Sequence, residues 1–403
     1  MYHAKRSRSK KIAGGLAIGL VAVLLLGAWN FLRPLPPITA GRVSLSFTGP
    51  SGTPVVWPSA GEAAVEAQGV TNLMTHGAQK ALPTASLAKV ITALTVLQEK
   101  PLNPGDIGPS MTLTQADLDI YHRYVDAGGA TIHVSPGEQL SEYQALQAMF
   151  LASANNVADS FAIWAFGSLD NYKAAATRYV KQLDLNDTTI GPDASGMSPQ
   201  TTSTPADLIR LGEQALANPV LAGIMQQKEV TLPTEGHITA GNPLIGKDGI
   251  IGIKTGSIDQ AKGNLLVAAT VEVVAGKPTT IIGAIIGQPS YGTAISAGPA
   301  LINSVKANLY QATPVLAGAP IARIAAPWGG QATATAKRGI SFVAWKNTPI
   351  EPQITLQRAG VTYETGAAVG TVSATAGTGS GTSDVVMTST LASPSFWWRL
   401  TRH

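Results

Sequence analysis

Leu87, Val90, Ile91, Leu94 and Leu97 recur at helical spacing, and Ala88, Ala93 and Val96 make the other faces apolar, so this segment predicts a helix buried almost all round. Lys89 breaks that pattern. An ammonium inside an apolar wrap must either find partners or give up its proton, and a second cation nearby pushes it further toward the neutral amine. Ser86 lies three residues earlier, on the same helical face. Pro83-Thr84-Ala85-Ser86 puts the serine at the helix start, where free backbone N–H groups favour developing negative charge.

Two further motifs follow in order: Ser153-Ala154-Asn155 and Lys254-Thr255-Gly256. With Ser86-Leu87-Ala88-Lys89 they supply a nucleophile, a base to activate it, a proton-relaying hydroxyl, an amide and a cationic carboxylate clamp. That is an inventory for acyl transfer through a serine ester. Each piece alone is weak. Ser7-Arg8-Ser9-Lys10 repeats the first spacing with no catalytic role, and an isolated Ser-Ala-Asn reads as a capping turn. Lys254-Thr255-Gly256 at a strand end is more specific, because the glycine leaves a sheet edge free to receive an extended peptide. The ordered triple carries the argument.

With 403 residues and 45% hydrophobic composition the chain accommodates two globular domains plus appendages. The net charge of +4 is concentrated in Lys5, Arg6, Arg8, Lys10 and Lys11, so no nucleic-acid surface is expected. From Ile12 to Trp29 the chain is uncharged and apolar, about 27 Å as a helix, enough to cross a bilayer. The basic residues precede this run, which places the N-terminus inside and the remainder outside. A cleaved signal peptide is the competing reading, but no clear small-x-small site follows, and a retained anchor is favoured. The absence of cysteine excludes disulfides and thiolate chemistry. Six scattered histidines without ligand spacing predict no metal site, and no phosphate-cradling loop or other cofactor motif is present.

Residues 1–33 thus read as a basic tip and membrane helix, 34–41 as a proline-rich stalk and 42–311 as the catalytic domain. The domain is expected to open with a hairpin of Val43–Phe47 and Pro54–Trp57. Helices follow from a capping box at Ser141 and Gln144, over about Val157–Phe166, and from Thr204-Pro205. The pattern then switches to strands at Gly249–Lys254, Leu265–Val274 and Thr279–Ile286, with a closing helix near Ala300–Tyr310. This order predicts an α/β fold, one antiparallel sheet covered by helices. Residues 312–390 read as a small β-sandwich with Gly377–Gly381 as a flexible loop, and 391–403 as an aromatic, basic tail, a second candidate membrane contact.

The sequence resembles the penicillin-binding D-alanyl-D-alanine carboxypeptidases, the low-molecular-weight serine DD-peptidases of bacterial cell walls. The resemblance spans roughly Val43–Tyr310 and rests on Pro83–Lys89, Leu151–Asn156, Asp193–Ser198 and Gly252–Gly256. It implies a β-lactamase/transpeptidase-like catalytic fold and a membrane-bound enzyme facing outward, acting on the D-Ala-D-Ala end of peptidoglycan stem peptides and trapped by β-lactams. By the same resemblance Ser86 attacks the carbonyl and Lys89 takes its proton. Ser153 relays a proton, Asn155 holds the substrate amide and the lysine, and Lys254 and Thr255 grip the carboxylate beside Gly256. Ser86 and Ser257 N–H groups form the oxyanion site. Two departures stand out: Ser257–Gly263 is one residue longer than the usual run, and Ile286–Tyr291 lacks the customary arginine. A serine β-lactamase and a non-catalytic wall-binding or β-lactam-sensing module are the rival readings, the first lacking a glutamate near Asp193–Ser198.

Overall fold

A computed structural model describes residues 3–357 and 363–402. The chain forms two compact units. One comprises Pro50–Gln311 with Val343–Asn347; the other comprises the chain up to Gly49, Ala312–Phe342, and the chain from Thr348 onward.

The first unit is built on a five-stranded antiparallel sheet in the order Ile250–Ile258, Lys262–Val274, Lys277–Gln288, Glu62–Ala67, Met74–His76. Side chains alternate across it, yet both faces are dry. Leu266, Ala268, Ile282 and Ala284 enter the larger core with the helices Ala88–Glu99, Glu142–Leu151, Asn155–Phe166 and Pro205–Ala217. Leu265, Val267, Ala269, Ile281 and Ile285 point the other way, onto Ala294, Leu301, Ile302 and Val305 of the helix Tyr291–Lys306. A sheet covered on both faces needs near-continuous apolar strands, which the sequence has in Leu265–Ala269. Ile250–Ile258 is an edge strand.

The capping box of Ser141 and Gln144 is formed as expected, and Thr204 caps the helix that begins with Pro205. Several local expectations are corrected. Val43–Phe47 and Pro54–Trp57 form no strands; the sheet takes Glu62–Ala67 instead, paired antiparallel with Lys277–Gln288. The closing helix runs over Tyr291–Lys306, earlier than expected and through Pro299, because Ser290 supplies a capping box. Thr39–Arg42, at the end of the expected stalk, is a strand paired with Pro320–Ala325.

The second unit carries a six-stranded antiparallel sheet in the order Thr39–Arg42, Pro320–Ala325, Gln331–Ala336, Gly379–Met387, Ala368–Ala376, Gln353–Leu356. The expected flexible loop at Gly377–Gly381 is a tight hairpin, with Ala376 paired to Gly379 and Ala374 to Gly381. Gly381 serves packing: a Cβ there would stand 2.5 Å from Ile340 Cγ2. Within this unit lies the N-terminal helix His3–Leu32, whose stretch Lys10–Leu32 has a mean hydropathy of 2.3 and the length to cross a membrane.

Candidate active site

The helix Ala88–Glu99 is preceded by one tight 3-10 turn, Ala85–Leu87, which holds Ser86 at the mouth of a cleft of about 710 Å³. Ala85 has a φ of +48°, and this left-handed residue turns the chain from the strand pair at Leu82–Pro83 into the helix. Ser153 is also left-handed, at φ +58°, on the connector between the helices Glu142–Leu151 and Asn155–Phe166. Strained backbone of this kind persists only where its surroundings fix it. Both positions aim a hydroxyl at the same point: Ser153 Oγ donates to Ser86 Oγ at 3.0 Å.

Lys89 is fully withdrawn from water, directly behind Ser86. Its Nζ lies 2.9 Å from Ser86 Oγ, 2.6 Å from Asn155 Oδ1 and 2.9 Å from the Ser195 carbonyl oxygen. The last two are pure acceptors and use two N–H groups; the first is a hydroxyl, able to donate to a nitrogen lone pair. Such a set suits a neutral amine. Burial, and next the nearby Lys254, hold the lysine well below its ordinary pKa. Lys254 comes from the edge strand, donates to Ser153 Oγ at 3.0 Å and to its neighbour's carbonyl at 3.0 Å, and is brought down to about 7 by burial. Lys89, Ser86, Ser153 and Lys254 therefore form one continuous polar chain through positions far apart in sequence.

Gly256 has a reason to lack a side chain: a Cβ there would meet Ser86 N at 3.0 Å and Thr84 O at 3.2 Å. The strand thus passes directly over the serine's backbone. Seven of the eight residues singled out from sequence line the cleft, namely Ser86, Ser153, Asn155, Lys254, Thr255, Gly256 and Ser257, while Lys89 backs Ser86 from inside.

A second polar layer lies beneath. Asp193 Oδ1 accepts from the backbone N–H groups of Ser195, Gly196 and Met197, and Oδ2 from that of Ser198. Its carboxylate is spent on folding its own loop, and it does not line the cleft. Asp159, on the helix Asn155–Phe166, accepts from Ala194 N at 2.9 Å and from the Tyr124 hydroxyl at 2.8 Å, and that hydroxyl lies 3.1 Å from Ser195 Oγ. The arrangement pins the loop whose Ser195 carbonyl meets Lys89. Burial raises Asp159 to about 6 and also raises Tyr124. Neither residue was singled out from sequence, although an aspartate among Val157, Ala158, Phe161 and Ala162 is as anomalous as Lys89 among its neighbours. At the missing arginine, Gln288 donates instead to the Ala60 carbonyl, and Tyr291 lines the cleft with its hydroxyl on the Gly241 carbonyl.

A helix-covered antiparallel sheet with a serine hydrogen-bonded to a buried lysine beside its edge strand has the arrangement of a serine-type acyl-transfer enzyme. Residues 59–285 match the D-alanyl-D-alanine carboxypeptidase family, and the chain belongs to that family. A D-alanyl-D-alanine carboxypeptidase from Streptomyces sp. strain K15 is 27% identical over 239 residues, covering 55% of this chain and 77% of the relative. The crystal structure of penicillin binding protein 5 from Haemophilus influenzae superposes with a TM-score of 0.60 at 17% identity, covering 85% of this chain and all of that one. A D-alanyl-D-alanine carboxypeptidase from Francisella tularensis gives 0.57 at 16% identity, over 85% of this chain and 97% of its own. These structures share the β-lactamase/transpeptidase-like fold expected from the sequence.

Proposed function

We propose that the protein is a membrane-anchored serine carboxypeptidase that removes the terminal D-alanine from peptidoglycan stem peptides through an ester on Ser86, with its catalytic unit outside the cell. The observation carrying this reading is the unbroken hydrogen-bonded line from Lys89 through Ser86 and Ser153 to Lys254. Lys89 accepts the Ser86 proton as the oxygen attacks the carbonyl between the two D-alanines. The N–H groups of Ser86 and Ser257 receive the oxyanion, each essential donor of this kind contributing about 3–4 kcal/mol. Ser153 passes a proton to the leaving amine, Lys254 and Thr255 hold the free carboxylate, and the open edge of Ile250–Ile258 pairs with the peptide backbone. Water then hydrolyses the ester. A β-lactam acylates the same oxygen and is released slowly.

The sequestration of Asp193 by backbone amides supports this reading over a β-lactamase, which needs a free carboxylate to activate its deacylating water. The test is mass spectrometry of the purified protein with a D-Ala-D-Ala peptide and, separately, with penicillin. Release of one D-alanine per turnover and a stable penicilloyl adduct, both lost in Ser86→Ala, are expected. A lasting adduct without peptide turnover would instead make the protein a sensor, and activity surviving in Ser86→Ala would remove the serine from the chemistry.

A further inference from the structure

The N-terminal helix does not end in open solvent. The last helical bond runs from Arg33 N to Trp29 O, and the carbonyls that follow have no partner within the helix; where a membrane limits water, such groups are costly to leave bare. Arg402 reaches them from the opposite end of the sequence: Nε donates to Asn30 O at 2.8 Å, one terminal nitrogen to Arg33 O at 2.5 Å and the other to Pro34 O at 3.1 Å. A guanidinium at a helix C-terminus also complements the negative end of the helix dipole. In return Asn30 Nδ2 donates to Leu400 O at 3.2 Å.

Apolar contacts run alongside. Phe31 and Phe396 rings lie 5.5 Å apart, Arg399 stands 5.5 Å over the Phe31 ring, and a Cβ at Gly27 would meet Leu400 Cδ1 at 3.0 Å. The short helix Phe396–Thr401 is fixed in turn to the β unit, with Trp398 against Trp328 at 5.7 Å and Trp328 Nε1 donating to Ala392 O at 2.9 Å. Trp29, Leu32, Phe396 and Trp397 meanwhile remain 59–80% exposed around the junction.

We infer that Phe396–Arg402 is a clasp for the exit end of the N-terminal helix, so that the two distant segments form one unit at the lipid headgroup level and the N-terminal helix is kept in the mature protein. This rests on reading Lys10–Leu32 as a membrane span. The outward Trp, Phe and Leu side chains occupy the interfacial belt that aromatic residues favour, and Arg33 and Arg399 stand where anionic headgroups lie. Removal of the N-terminal helix would strip the clasp of its partner and leave Arg402 without the Asn30 carbonyl and without the helix end that places those of Arg33 and Pro34.

The chain has no cysteine, so a crosslink reads this contact directly. Full-length Gly27→Cys/Leu400→Cys is expressed in cells and its membranes are oxidised with copper phenanthroline. The expected result is an intramolecular disulfide in most of the protein, joining the two segments in one peptide by mass spectrometry, with no crosslink in either single variant. Adding Arg402→Gln should reduce the yield several-fold; an unchanged yield would overturn the role given to Arg402. Protein that keeps its N-terminal peptide and labels with fluorescent penicillin but does not crosslink would overturn the clasp and leave the anchor standing. Mature protein lacking that peptide would overturn the anchor itself, and the clasp with it.

Discussion

In the unit that carries the cleft, Lys89, Asn155, Asp159 and Lys254 are all withdrawn from water, whereas among the described residues of the β unit the buried positions are apolar apart from Ser383. The backbone differs in the same sense. Ala85 and Ser153 adopt left-handed conformations that bring two serine hydroxyls together, while the hairpin Gly370–Val385 keeps regular pairing through a two-residue turn. Burying two lysines costs free energy, and the cost falls when one or both are neutral. On the proposed mechanism the catalytic unit accepts this cost to hold an amine ready to take a proton, and the β unit has no such demand.

The largest effect expected from this contrast is on Lys89. Lys89→Ala should lower the acylation rate by about 10²–10⁴, the usual range for loss of a general base, while non-covalent binding persists. Stopped-flow acylation by a chromogenic β-lactam measures it, and an unchanged rate would take the base role away from Lys89.

Lys254 tests whether activity and stability oppose one another. Its pKa falls from 10.5 when unfolded to about 7 in the fold, so the unfolded chain binds the extra proton throughout that window. The cost is fully present below pH 7, declines as pH rises, and is gone above 10.5. Lys89 acts in the same direction. Lys254→Met should abolish turnover yet raise stability at pH 7 by roughly 1–3 kcal/mol and flatten its rise toward pH 10. Urea midpoints at the two pH values decide this; a lower midpoint at pH 7 would show that the lysine's hydrogen bonds outweigh its burial cost.

A smaller change is expected beneath the site. Asp159→Asn alters the link through Tyr124 and Ala194 that fixes the Ser195 carbonyl against Lys89. It should reduce kcat about tenfold with little change in KM, because a misplaced base raises the barrier without touching the carboxylate clamp. A rise in KM with kcat intact would place Asp159 in substrate binding instead.

These residues also mark what could be read without coordinates. Ser86, Lys89, Ser153, Asn155 and Lys254 were legible because each is a polar residue in a short motif whose neighbours predict burial or a turn. The α/β layering was legible because helical spacing gives way to strands at Gly249–Lys254, Leu265–Val274 and Thr279–Ile286 before a closing helix. Tyr124 was not, since an aromatic on an amphipathic helix reads as core. The strand Glu62–Ala67 was missed because its small residues and two glutamates lack a strand's usual bulk; it is held by pairing with Lys277–Gln288 rather than by its own propensity. Gly377–Gly381 reads as flexible in sequence because composition does not distinguish a glycine that needs freedom from one that needs room.

That distinction supplies the smallest expected effect on catalysis. Gly381 lies in a regular strand opposite Ala374, and the methyl of Gly381→Ala would press on the nearly fully buried Ile340. Overpacking of this kind costs about 1–3 kcal/mol. Because the strain falls in the β unit, the melting temperature should drop while kcat and KM for a D-Ala-D-Ala peptide stay at wild-type values below the transition. A fall in kcat at a temperature where the variant is still folded would show that the β unit's packing reaches the serine, and the division between a costly catalytic core and an undemanding partner would no longer hold.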